Sequence, residues 1–75
     1  MSIRLELVST GDELLQGRTL NSHPRIVAEY LGPLGLLPAR VVTVGDQVEA
    51  IAEAVKEALR TAVVVLVGGG LGPTG

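Results

Sequence analysis

The chain has no cysteine, tryptophan or phenylalanine, and Tyr30 is its one aromatic residue. Without cysteine there is no disulfide framework, no thiolate metal site and no cysteine nucleophile. Without aromatic residues there is no platform on which bases stack. Positive charge is sparse too: six Lys and Arg against eight Asp and Glu give a net charge of −2, with no basic stripe. Nucleic acid is therefore not an expected partner. Long apolar runs are missing as well. The longest, Ala62 to Val67, is far too short to span a bilayer. The first residues, Met1-Ser-Ile-Arg-Leu-Glu6, carry charges where a signal peptide needs an apolar stretch. No membrane association is expected, and the expected location is the cytoplasm.

What is present is aliphatic. Hydrophobic residues make up 47% of the 75, a foldable composition and not a disordered one. That length allows at most one small domain. Chains of this size bury little surface and usually need a disulfide, a metal or a partner chain.

The hydrophobic pattern predicts five elements. Ile3 to Ser9 reads as a strand, broken by Thr10-Gly-Asp-Glu13, with Leu14 to Leu20 as loop. A helix is expected from about Ser22 to Gly32, capped by Asn21 or Ser22, with Pro24 in its first turn. Its expected apolar face is Ile26, Val27, Tyr30 and Leu31, and Gly32-Pro33 and Gly35 stop it. Leu37 to Val44 reads as a second strand, with Pro38 tolerated at its start or on an edge. Asp46-Gln-Val-Glu49 resembles a capping box for a helix from about Val48 to Arg60, whose expected face is Val48, Ile51, Ala52, Val55, Ala58 and Leu59. Val63 to Val67 is apolar throughout, as a strand covered on both faces should be. The order β-α-β-α-β implies parallel strands and right-handed crossovers. No repeat, linker or domain boundary interrupts residues 1–75.

Three loops then leave the sheet on its carboxyl edge: Thr10 to Glu13, Gly45-Asp46, and Gly68 to Gly75. Open α/β sheets bind ligands on that edge, where the strand order reverses. With sheet order 2-1-3, Asp12, Glu13 and Asp46 would face a glycine-rich cradle. Glycines admit an anion close to backbone N–H groups, and carboxylates hold Mg²⁺ against phosphates. Each piece also has a plainer reading. Asp12 and Glu13 suit a turn, and Asp46 taken alone is better explained as a helix N-cap. His23 reads as a solvated residue in a helix first turn, since no second His or Cys exists to share a metal. Gly70-Leu-Gly-Pro-Thr-Gly75 spells a dinucleotide fingerprint, but Pro73 interrupts it and no helix or later acidic residue follows within the chain. It is no Walker loop, because no Lys-Ser/Thr pair follows the glycines.

The ordered set Val8-Ser-Thr-Gly-Asp-Glu-Leu-Leu-Gln-Gly17, Asn21-Ser22, Thr43-Val-Gly-Asp46 and Gly69-Gly-Leu-Gly-Pro-Thr74 resembles the molybdopterin-binding (MoCF) domain superfamily, and within it the N-terminal domain of the competence/damage-inducible CinA branch. The resemblance covers essentially the whole chain. It implies a three-layer α/β/α fold with parallel order 2-1-3, of which residues 1–75 would be the first half of a truncated single domain. It implies a molybdopterin or ADP-ribose-like ligand on the loop edge, with Mg²⁺ held by Asp12 and Asp46. In relatives the fold accompanies adenylyl transfer in molybdenum cofactor biosynthesis, or hydrolysis of the pyrophosphate of ADP-ribose. The residues matching ligand-loop positions are Thr10, Gly11, Asp12, Glu13, Asn21, Gly69, Gly70, Gly72 and Thr74, and Asp46 matches an acidic position implicated in catalysis. The chain departs from the family pattern at Gly68, usually Thr or Ser, and at His23, commonly a second Asn. Family members also continue past the Gly-Pro-Thr segment with further aspartates, a helix and strands. The expectation is a phosphate-ligand-binding domain that is inactive by itself and partnered by the remainder of its domain or by a second copy. The alternative is a non-catalytic assembly module pairing through its third strand.

Overall fold

The structure, a computed structural model, describes residues 3–69. The elements run β1 (Leu5–Thr10), α1 (Asp12–Leu15), α2 (His23–Leu31), a 3-10 turn (Gly32–Leu34), β2 (Pro38–Val44), α3 (Val48–Leu59) and β3 (Val64–Gly69). The three strands form one parallel sheet in the order β2-β1-β3. Right-handed crossovers from a central first strand leave toward one side and then the other, so successive helices cover opposite faces. Alternation along β1 shows this: Ser9 meets residues of the α2 start, while Glu6 meets Thr61 just past α3. The result is the three-layer α/β/α arrangement that the order of elements implies.

The centre of the sheet is β1, as the order 2-1-3 implies. All six residues of Leu5–Thr10 are buried. The apolar run of β3 suggested a strand covered on both faces, yet Val67 is 52% exposed and Val64 is 38% exposed. β3 is an edge strand among the described residues. The partly alternating β1 is instead the strand with neighbours on both sides, and it buries Glu6 at 1% exposure.

A buried carboxylate needs partners. Glu6 Oε2 accepts from Thr61 Oγ1 at 2.6 Å and from Arg4 Nε at 3.0 Å. Arg40, its register partner on β2, lies 3.7 Å from Oε1, which has no hydrogen bond among the described residues. The Thr61 hydrogen bond is the main reason the Glu6 carboxyl sits below the ordinary glutamate value. Burial opposes it, and Arg4 and then Arg40 add to it.

Both helix faces are narrower than the pattern suggested. On α2, Val27 and Leu31 are half-buried, but Ile26 and Tyr30 are exposed. On α3, Ile51, Ala54, Val55 and Ala58 turn inward, whereas Val48, Ala52 and Leu59 are exposed. A helix over a three-stranded sheet has only a narrow stripe to cover, so the flanks of a broad apolar face stay outside.

Candidate site at the carboxyl edge of the sheet

Gly11 carries the chain out of β1. Its φ of 150° with ψ of 126° belongs to a region open essentially to glycine alone. A Cβ there would also sit 2.9 Å from Glu13 Oε1. The segment that follows was expected as loop, but it winds one helical turn, α1. Leu15 N–H donates to the Gly11 carbonyl at 3.0 Å and Gln16 N–H to the Asp12 carbonyl at 2.9 Å. Asp12 and Glu13 in this first turn suit the positive end of the peptide dipoles. A four-residue turn is too short to show an apolar period, which is why the sequence pattern missed it.

The turn brings Asp12 against Asp46. The two lock reciprocally: Asp46 N–H donates to Asp12 Oδ1 at 3.1 Å, and Asp12 N–H donates to Asp46 Oδ2 at 3.3 Å. Asp46 is therefore not the cap of α3. Its carboxylate is spent on α1, the N-cap position falls to Gln47, and no side chain caps that helix. Gly45 permits the approach, since a Cβ at that position would lie 2.6 Å from Asp12 Oδ1. Asp12 Oδ2 and Asp46 Oδ1 accept no hydrogen bond among the described residues, and both side chains are exposed.

This donor set bears on Mg²⁺. No group of three or more His, Cys, Asp or Glu side chains converges among the described residues, so no protein cage for a metal exists there. Mg²⁺ does not require one: it keeps several waters and takes one or two carboxylates plus phosphate oxygens. Two neighbouring carboxylates, each with one oxygen free, fit that demand.

At the end of β1, Thr10 is buried and its hydroxyl donates to the Gly68 carbonyl at 3.4 Å. Thr10 pairs with Gly69 in the sheet, and a Cβ at Gly69 would make only ordinary contact with that hydroxyl. Asn21 is half-buried above the end of β1. Its Oδ1 accepts from His23 N–H at 3.1 Å, so Asn21 caps α2 as expected, while Ser22 makes no side-chain cap. Asn21 Nδ2 donates to Ser9 Oγ at 2.9 Å. Thr10, Gly11, Asp12, Glu13, Asn21, Asp46 and Gly69 thus gather at one edge of the sheet, while Gly70, Gly72 and Thr74 lie outside the described residues. Pattern reading missed Ser9 and His23, whose ring nitrogen Nδ1 lies 3.3 Å from Ser9 Oγ. The signal was a serine inside an apolar central strand, which has to find a hydrogen-bond partner when buried.

A parallel sheet with helices on both faces and acidic and glycine loops at its switch point defines an α/β domain of the kind that places ligands on that edge. The family model described as "Probable molybdopterin binding domain" matches residues 6–75, and the chain belongs to that family. It is 49% identical over 74 residues to a CinA-like protein of Chlorobium phaeobacteroides, covering 99% of this chain and 18% of that protein. It is 44% identical over 73 residues to a protein of Pyrococcus abyssi, covering 96% of this chain and 29% of the relative. Among solved structures, that of the protein CinA from Thermoplasma acidophilum, described as of unknown function, matches with a TM-score of 0.82 and 32% identity. That match covers 97% of this chain and 43% of the other. The chain thus spans less than half the length of each of these relatives.

Proposed function

We propose that the chain is a ligand-binding part of a CinA-like domain and takes a phosphate-bearing molecule, molybdopterin or an ADP-ribose-like nucleotide, on the carboxyl edge of its sheet. The observation that carries this reading is the reciprocal Asp12–Asp46 lock facing the Thr10–Gly69 pair across β1. Asp12 and Asp46 would hold Mg²⁺ through their free oxygens. When bound, that ion would neutralise phosphate charge and polarise the diphosphate toward attack. Thr10 and the backbone at Gly69 would position the ligand, and Asn21 would keep the α2 start fixed beside it. Asp46 is the residue of this chain to which a catalytic role is assigned. These 75 residues span 18% and 29% of the length of the two curated relatives, and in this reading they bind the ligand without turning it over by themselves. The cytoplasm, where such nucleotides and cofactor precursors are made, is the compartment this function needs.

ADP-ribose with Mg²⁺ should raise the melting temperature of the chain, since a ligand held only by the folded state stabilises it by about 2.7 kcal/mol at a hundredfold excess over Kd. Asp46→Asn should abolish that rise while changing the ligand-free melting temperature little, because its amide oxygen still accepts from Asp12 N–H. A wild-type chain with no Mg²⁺-dependent rise would overturn the reading. Hydrolysis of ADP-ribose by the wild type, lost in the variant, would instead assign turnover to these residues alone.

A second reading has its own observation. β3 presents an unpaired edge among the described residues, with Val64 and Val67 partly exposed. Edges of that kind add strands from other chains. In this reading the partner is a second copy or the remainder of the same domain.

A further inference from the structure

Three hydrogen bonds close a ring at the end of β1. His23 N–H donates to Asn21 Oδ1, Asn21 Nδ2 donates to Ser9 Oγ, and Ser9 Oγ lies against His23 Nδ1. The first bond orients the Asn21 amide, because a backbone N–H only donates. The amide nitrogen then faces Ser9, whose oxygen accepts. Ser9 is 0% exposed, and its single hydroxyl proton has His23 Nδ1 as its one remaining partner among the described residues. Were Nδ1 protonated, that buried hydroxyl would lose its acceptor, at the full cost of an unmet buried donor. The ring of hydrogen bonds therefore casts Nδ1 as the acceptor and leaves Nε2 as the nitrogen that donates.

The same imidazole fills a gap in the sheet. Ser9 and Gly68 are register partners, and paired positions of parallel strands carry their side chains on one face. Gly68 has none. A Cβ there would stand 3.1 Å from His23 Nδ1 and 3.3 Å from Cε1 and Cγ. The His23 ring occupies the place a side chain at 68 would take, one residue before the Thr10–Gly69 pair. It is half-buried, and no described residue takes Nε2 as a partner.

We propose that His23 is a specificity-determining residue of the carboxyl-edge site: locked by Ser9 and Asn21 and seated on Gly68, it offers its Nε2–H to an oxygen acceptor, a phosphate oxygen of the ligand. The inference rests on the ligand-binding function proposed above. An N–H donor suits an edge already crowded with the carboxylates of Asp12, Glu13 and Asp46, because it reads an oxygen without competing with them for a cation. It also makes positions 23 and 68 a matched pair, in which a Cβ at 68 would press on the imidazole at 23 and force it to shift.

His23 is the only histidine, so its ring nitrogens are identified in a long-range ¹H–¹⁵N spectrum without assignment. In the free chain Nδ1 should resonate as a bare nitrogen and Nε2 as a protonated one. Adding ADP-ribose with Mg²⁺ should shift Nε2. A protonated Nδ1 in the free chain overturns the inference whatever the ligand does. If ADP-ribose moves the Thr10 and Asp46 amides but leaves Nε2 in place, the inference fails and the proposed function stands. If nothing moves, both fail. Gly68→Ser and His23→Asn provide a second measurement. Each alone should weaken ADP-ribose binding by about tenfold or more, and the double variant should bind no more weakly than His23→Asn alone, because without the imidazole a side chain at 68 meets no obstacle, the non-additivity expected of residues in contact. Independent, additive losses would overturn the matched pair.

Discussion

At the scale of single residues, this chain turns ordinary polar side chains into fixed ones by giving each a partner distant in sequence. Glu6 is the clearest case. Its carboxylate is buried on the central strand and held mainly by the Thr61 hydroxyl, with Arg4 and Arg40 beside it. Because its folded pKa is depressed, the stability it contributes is present above the ordinary glutamate value of about 4.3 and is lost as the pH falls through the lower folded value. Thr61→Val removes the largest cause of that depression. The folded pKa should then rise, so the acid-unfolding midpoint followed by circular dichroism should move to higher pH and stability at neutral pH should fall. An unchanged midpoint would show that the hydroxyl does not hold the carboxylate. His23 makes the same point at the site. Positions 23 and 68 lie against each other, which nothing in their spacing announces.

At the scale of elements, the strands and the two long helices fall close to where periodicity and punctuation put them. The second strand begins at Pro38, on an edge, as a residue without an N–H requires. What periodicity did not resolve was which part of each apolar face is used. Ala58 is 1% exposed against the sheet, while Ala52, on the same broad face, is exposed. Ala58→Leu should therefore cost about 1–3 kcal/mol by overpacking. Ala52→Leu should stay within about 0.5 kcal/mol, as a surface substitution away from special features. Urea melts of the two variants check this, and equal losses would contradict the observed orientation of α3. The short turn α1 escaped pattern reading because its formation depends on Gly11 and on the Asp12–Asp46 lock, and not on an apolar stripe.

At the scale of the whole molecule, three strands and two long helices leave much aliphatic surface uncovered. The fully buried apolar residues are Leu5, Leu7, Val8 and Ala58, while Leu20, Tyr30, Val48 and Val63 are each more than 70% exposed. A chain with so small a core gains stability from anything that covers those surfaces. Sedimentation velocity at rising concentration should therefore show self-association, and Val67→Lys, which places a charge on the edge strand, should suppress it. A wild-type chain that stays monomeric at high concentration would remove the assembly reading. Among the described residues no helix is long and apolar enough to cross a membrane.

The family resemblance supplied the place of β1 between β2 and β3, and the sequence pattern by itself determined the order of elements, the parallel strands and the loops that meet on their carboxyl edge. These follow from local periodicity, from glycine and proline punctuation, and from the fixed hand of crossovers, all of which are written in short stretches of chain. Only the tertiary structure decided that Asp46 answers Asp12 rather than capping α3, that Glu6 is paired with Thr61, and that His23 lies in the space over Gly68. Those contacts join residues as far as 55 positions apart. They depend on strand register and on which face a side chain takes, and a single-residue change in either would separate the partners.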